Sequence, residues 1–127
     1  MSRDQQRVVD YLAHILEAIE RIDRYTEDMD ELAFLNNQLV QDAVIRNFET
    51  IGEASHNIET HYPVFAAAHP ELPLAFAYEM RNAISHGYFK VDFEIVWKTI
   101  HSDLPGLHVL VHKAQATLPR DGDGMTP

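Results

Sequence analysis

Apolar residues keep helical spacing through most of this chain, and polar or proline-containing breaks divide them into a few long runs. Val8, Leu12, Ile15, Leu16, Ile19 and Ile22 form the first apolar stripe, with Asp10, Glu17, Glu20, Arg21 and Arg24 on the opposite face. This predicts an amphipathic helix, opened by a Ser2/Gln5 capping box and ending near Thr26. Tyr11 and His14 within it read as packing or surface residues. Asp28 followed by Glu31 repeats the start signal, so Met29 to Leu35 should make two short turns before Asn36-Asn37 interrupts them. A long helix then runs from about Asn37 to Thr60, with Leu39, Ala43, Val44, Phe48, Ile51, Ala54 and Ile58 in its apolar register. Gly52 inside it costs about 1 kcal/mol of helix propensity relative to alanine, which close approach by another helix would offset.

Three prolines between His61 and Pro73 predict a loop with a brief helical turn, in which His61 and His69 are surface residues. A helix from Leu74 to Ser85 should turn Phe76, Met80 and Ala83 or Ile84 inward. Asp92 can N-cap the next segment, whose core stripe is Phe93, Val96, Trp97 and Ile100. Pro105 with Gly106 should kink or break it before Leu107, Leu110, Val111, Ala114 and Leu118 continue the apolar face. Residues 119–127 are rich in Gly, Pro and Asp and read as a disordered tail. The expectation is an all-α, up-and-down bundle of four main helices in one domain spanning residues 1–118, with the last helix kinked near Pro105.

Composition narrows the chemistry. At 127 residues the chain can bury a single core without cross-links, and with no cysteine it makes neither disulfides nor a thiolate zinc site. No apolar run reaches membrane-spanning length and the N-terminus begins polar, so a cytoplasmic protein with no membrane partner is expected. The formal net charge of −10 opposes nonspecific coating of nucleic acid. That charge is uneven: residues 1–77 hold five Lys/Arg against fourteen Asp/Glu, a net of −9, while residues 78–127 hold five against six, a net of −1. An acidic remainder also suits docking of a basic protein partner.

The nearly neutral part contains Met80-Arg81-Asn82-Ala83-Ile84-Ser85-His86-Gly87-Tyr88, the one place where a cation, an imidazole and a phenol crowd into nine residues. Gly87 is a natural helix terminator, placing the helix end at Ser85 or His86 with Tyr88 just beyond. Asn82 and His86 stand one turn apart, and Arg81 approaches from the preceding turn. Arginine offers a permanently charged planar fork for phosphate, and histidine both accepts and donates a proton near neutral pH. Together they suit phosphodiester cleavage. The competing reading makes Arg81 a surface ion-pairing residue and His86 a C-cap that complements the helix dipole.

With Ile51-Gly52-Glu53-Ala54 upstream and Val91-Asp92-Phe93-Glu94-Ile95-Val96-Trp97 downstream, this stretch resembles the HepT-like toxins of the HEPN superfamily. Arg81, His86 and Tyr88 match that family's R-x4-H-x-Y motif residue for residue, and the likeness covers about residues 5 to 118. Many relatives carry a tryptophan just after the equivalent of Pro73, where this chain has Leu74. The resemblance implies a homodimer with two motifs facing across the two-fold axis, an RNA substrate, and a minimal nucleotidyltransferase antitoxin as partner. It also implies adenylylation of the Tyr88 hydroxyl, against a reading of Tyr88 as a packed aromatic.

In a metal-independent endoribonuclease, His86 would take the ribose 2′-hydroxyl proton, Arg81 would hold the charge on the phosphoryl oxygens and Asn82 would orient the imidazole or ribose. A 2′,3′-cyclic phosphate would result, and no cofactor is expected. Arg46, Asn47 and Glu53 either line a cleft opposite Arg81 or form a buried polar network or solvated face. The alternative function is a noncatalytic nucleotide- or partner-binding subunit of a nucleotidyltransferase complex. His108 and His112 stand one turn apart, with His101 seven residues earlier, but no carboxylate lies inside the pair, and no metal is expected. Ser55-His56 and Ser85-His86 lack a local third group to make a nucleophile and base.

Overall fold

A computed structural model describes residues 3–85 and 91–118, with side chains described for 7–80 and 91–118. The described residues form helices only: α1 (Arg3–Thr26), α2 (Glu31–Leu35), α3 (Gln38–His61), α4 (Pro63–Ala68), α5 (Leu74–Ser85), α6 (Phe93–Ser102) and α7 (Leu104–Ala116). Long helices α1 and α3, with α5 and α7, make the bundle, as the spacing of apolar residues predicts. The Ser2 cap, the Gly87 stop and the 119–127 tail lie outside the described residues.

Local chemistry sets the ends. Thr26 closes α1 by donating its hydroxyl to the Ile22 carbonyl at 2.8 Å. Asp30, not Asp28, caps α2, its carboxylate accepting from the Ala33 N–H at 2.8 Å. The two-residue shift arises because the Met29 N–H is still bonded to the Thr26 carbonyl, which keeps Asp28 in the turn leaving α1. Asn37 caps α3 through the Val40 N–H at 3.0 Å. Asp92 caps α6, accepting from Glu94 and Ile95 at 3.0 and 3.3 Å. Pro105 breaks the last segment rather than bending it: α6 ends at Ser102 and α7 begins at Leu104, with Pro105 in the first turn, where a missing N–H costs nothing.

α3 returns along α1, α5 returns along α3, and α7 packs on α1. Leu12, Ile15 and Ile19 of α1 meet Val44, Phe48, Ile51 and Ile58 of α3 in one core that Leu74, Ala77, Leu104, Leu107 and Val111 complete. At one end Phe34 of α2 is fully buried, 5.3 Å from the Trp97 ring and 6.1 Å from Phe93, and so fastens α6 to the bundle. Gln41 supports it from α3, its amide donating to the Phe34 carbonyl at 2.9 Å.

Two apolar positions depart from expectation. Leu39 is 80% exposed, because its neighbour Val40, about 100° round the helix, takes the core side of the first α3 turn. Phe76 is 53% exposed, since Leu74 and Ala77 define the buried side of α5 and Phe76 falls away from it. Met80 does pack against the core.

Ser55 is fully buried, yet its hydroxyl has no hydrogen-bond partner among the described residues. An unmet buried hydroxyl is costly, and alanine is the better helix former. Ser55→Ala should therefore stabilise the fold by about 0.5–1 kcal/mol, seen as a higher urea midpoint at unchanged slope. A lower midpoint would show that the hydroxyl is satisfied in solution.

Candidate functional site

The R-x4-H-x-Y stretch begins in the last turns of α5. Residues 81 and 82 belong to that helix, while His86 and Tyr88 lie outside the described residues. The approach of α5 to α3 is fixed by Tyr78, whose ring stacks on His56 of α3 with centroids 4.1 Å apart. Because the two helices run oppositely with about 1.5 Å per residue, residue 81 stands level with Glu53 and residue 85 with Glu49. Residue 81 also follows Leu74 and Ala77 at helical spacing, so the backbone carries it on the bundle-facing side of α5. Gly52, one turn before His56, is buried on that same edge of α3, in keeping with a close helix crossing.

The three α3 residues singled out for a cleft separate. Arg46 and Glu53 line a shared groove of about 340 Å³ between α1 and α3, together with Tyr11, His14, Glu49 and Asn57. Asn47 instead turns into the bundle, buried, its amide donating to the Ala43 carbonyl at 2.8 Å. Glu49 and Glu53 each engage an interaction partner within the protein. Tyr11 and His14 read as ordinary packing or surface positions in the sequence, yet both border this groove. Their signal is the three-residue step in α1 beside the 46, 49, 53, 57 repeat in α3, which lays polar side chains along adjoining faces.

Aromatic contacts shape the α1 wall. The Tyr11 ring meets His14 edge-on, with centroids 6.2 Å apart, and lies the same distance from Tyr62. Exposed Arg7 stands beside them, its guanidinium held above its ordinary pKa by the Tyr11 hydroxyl first and Tyr62 second.

Other candidate groups have structural employment. His108 is bound to the Glu20 carboxylate across α7 and α1 at 3.0 Å, and His112 stacks one turn away with ring centroids 6.3 Å apart. His101 Nδ1 lies 2.9 Å from the Trp97 carbonyl. His69 is partly buried and paired with Glu71 at 2.9 Å, a contact that lowers the Glu71 pKa. Ser55 and His56 point to different surroundings, core and α5 respectively, and do not form a nucleophile and base. Among the described residues no helix is long and apolar enough to cross a membrane.

The described residues thus form an all-helical bundle whose third main helix, α5, carries the start of the R-x4-H-x-Y stretch, a fold consistent with the HEPN class. Residues 15–114 match the family model described as ribonuclease HepT-like. The chain is 44% identical over 98 residues to a "probable ribonuclease HepT" of Thermococcus cleftensis, covering 77% of this chain and 86% of that one. It is 36% identical over 95 residues to a "putative RNase" of Methanocaldococcus jannaschii, covering 75% and 84% respectively. A longer protein of that organism, a "gamma-glutamylcyclotransferase and putative RNase", is 37% identical over 111 residues, which cover 87% of this chain and 49% of the relative. No solved structure matches the chain. The protein belongs to the HepT-like ribonuclease family.

Proposed function

We propose that this protein is an endoribonuclease that works without metal and serves as the toxin of a toxin–antitoxin pair. The observation that carries the reading is the R-x4-H-x-Y stretch at the end of α5 in a chain of this family. Two copies of the chain bring two stretches together at a two-fold axis, so that a pair of guanidinium and imidazole groups encloses one phosphate. One His86 removes the 2′-hydroxyl proton as that oxygen attacks the adjacent phosphorus. The partner subunit's His86 returns a proton to the departing 5′-oxygen. Arg81 neutralises the charge that builds on the phosphoryl oxygens, and Asn82 orients the imidazole or ribose. The products are a 2′,3′-cyclic phosphate and a free 5′-hydroxyl.

Regulation in this reading is electrostatic. A nucleotidyltransferase antitoxin transfers adenylate from ATP to the Tyr88 hydroxyl with loss of pyrophosphate. The added phosphate occupies the anion site beside Arg81 and repels RNA. Purified protein should cleave RNA in EDTA and leave cyclic-phosphate ends. A strict requirement for added divalent metal sinks the mechanism. Co-expression with the transferase should add adenylate mass to the Tyr88 peptide, and an unmodified peptide while toxicity is neutralised sinks that arm. The net charge of −10 favours the second reading, a noncatalytic subunit of a transferase complex in the cytoplasm. Such a protein would bind its partner stably without cutting RNA.

A further inference from the structure

We infer that the groove between α1 and α3 holds one nucleotide of a single-stranded RNA, its base against Tyr11 and its phosphate against Arg46. The inference rests on the ribonuclease reading and extends it from the bond that is cut to the strand that is held. The groove's volume of about 340 Å³ is at the small end of ligand sites, which run roughly 300–1,000 Å³, and suits a single nucleotide. Its lining has the parts such a ligand needs. Tyr11 supplies an aromatic surface, and bases stack on such surfaces whatever their sequence. Exposed Arg46 supplies a charged fork for phosphate. Thr50 and Asn57 offer donors and acceptors to a base edge or a 2′-hydroxyl.

Position, and the prior engagement of the nearby carboxylates, favour RNA over a protein ligand. The groove lining sets Arg46 and His14 beside two carboxylates, and Arg7 stands next to its Tyr11 wall. The carboxylates in the lining, Glu49 and Glu53, already have partners. Those same two residues stand level with positions 85 and 81 of α5, so the groove opens beside the end of the motif helix. Packed helices lie about 8–10 Å apart, which puts a strand held in the groove next to the phosphodiester presented to Arg81 and His86.

The test uses the full chain carrying His86→Ala, with a fluorescent twelve-nucleotide oligouridylate as probe. Arg46→Glu in that background should weaken binding about fivefold or more and flatten the salt dependence by about 0.7 in log–log slope, one phosphate contact's worth. Arg24→Glu, at the far end of α1, controls for general charge. In the cleaving protein Arg46→Glu should raise KM with kcat nearly unchanged. With 4-thiouridine in the probe, ultraviolet crosslinks should map to the peptide containing Tyr11. ATP and uridine monophosphate serve as competitors, and displacement of the oligonucleotide by either at equal concentration would mean a free-nucleotide site instead.

Equal losses from Arg46→Glu and Arg24→Glu overturn the groove, as do an unchanged slope, crosslinks elsewhere or absence of binding. If the wild type fails to cleave RNA while the oligonucleotide result holds, the ribonuclease reading falls and the groove stands. If Arg46→Glu cleaves with unaltered KM, the reverse is true.

Discussion

Replacing His86 with alanine should lower kcat for RNA cleavage by about 10²–10⁴, the range contributed by a positioned general acid or base, and leave the helical circular dichroism intact. The effect belongs near the top of that range if symmetry makes each subunit's imidazole serve in turn as base and acid, because one substitution then removes both proton-transfer groups. Mixed dimers separate the two roles. A wild-type subunit paired with a His86→Ala subunit retains one imidazole, so it should be slow rather than half as active as wild type. Single-turnover cleavage of a defined oligonucleotide measures this. A variant as fast as wild type would remove His86 from the chemistry, and a mixed dimer at half the wild-type rate would show two independent sites instead of a shared one.

The second large effect is on stability. Phe34 is the side chain by which a five-residue helix reaches the core, and it touches both aromatic residues of α6. Cutting it to alanine should cost about 3–5 kcal/mol, since the rings of Phe93 and Trp97 cannot collapse into the space without pulling α6 off the bundle. The Tm should fall on the order of 10–20 °C. Amide exchange should quicken first in α6 and in the Phe34–Gln41 junction, where the Gln41 amide holds the Phe34 carbonyl. A loss below about 1 kcal/mol would place Phe34 among tolerant surface positions, against its complete burial.

Some helix ends were legible. Asp92 announces its cap because the acceptor and the N–H it satisfies sit three residues apart in the chain, and the Asn36-Asn37 break places the start of α3 near Asn37, which caps it. Asp28 and Asp30 compete for the same role, and the Met29 to Thr26 bond decides between them, which letters alone do not express. Face assignment was harder. Leu39 and Val40 are adjacent apolar residues, either of which fits a helical stripe, and in the structure it is Val40 that packs against the core. Asn47 fits a cleft, a buried polar network or a solvated face equally well by its letter, and the structure selects burial because its amide satisfies itself on the Ala43 carbonyl. At the candidate site the motif is legible because it is local. The groove of Tyr11, His14 and Arg46 is not, because its walls come from helices whose pairing brings together residues some 35 positions apart. The proposed meeting of two motifs at a symmetry axis would need a second copy of the chain, and no pattern within one copy encodes it.

The pairing of α7 with α1 joins helices far apart in sequence, whereas α1 with α3 and α3 with α5 join near neighbours. Most of the bundle can therefore assemble while the protein is still being synthesised, hairpin by hairpin, as contacts of short sequence separation allow. The stripe of α1 that receives Leu107, Val111 and Ala114 has to wait until α7 has been synthesised. Until α7 emerges, a nascent chain carries an open apolar seam along α1, and a ribosome stalled between α6 and α7 would present an incomplete bundle to chaperones and proteases.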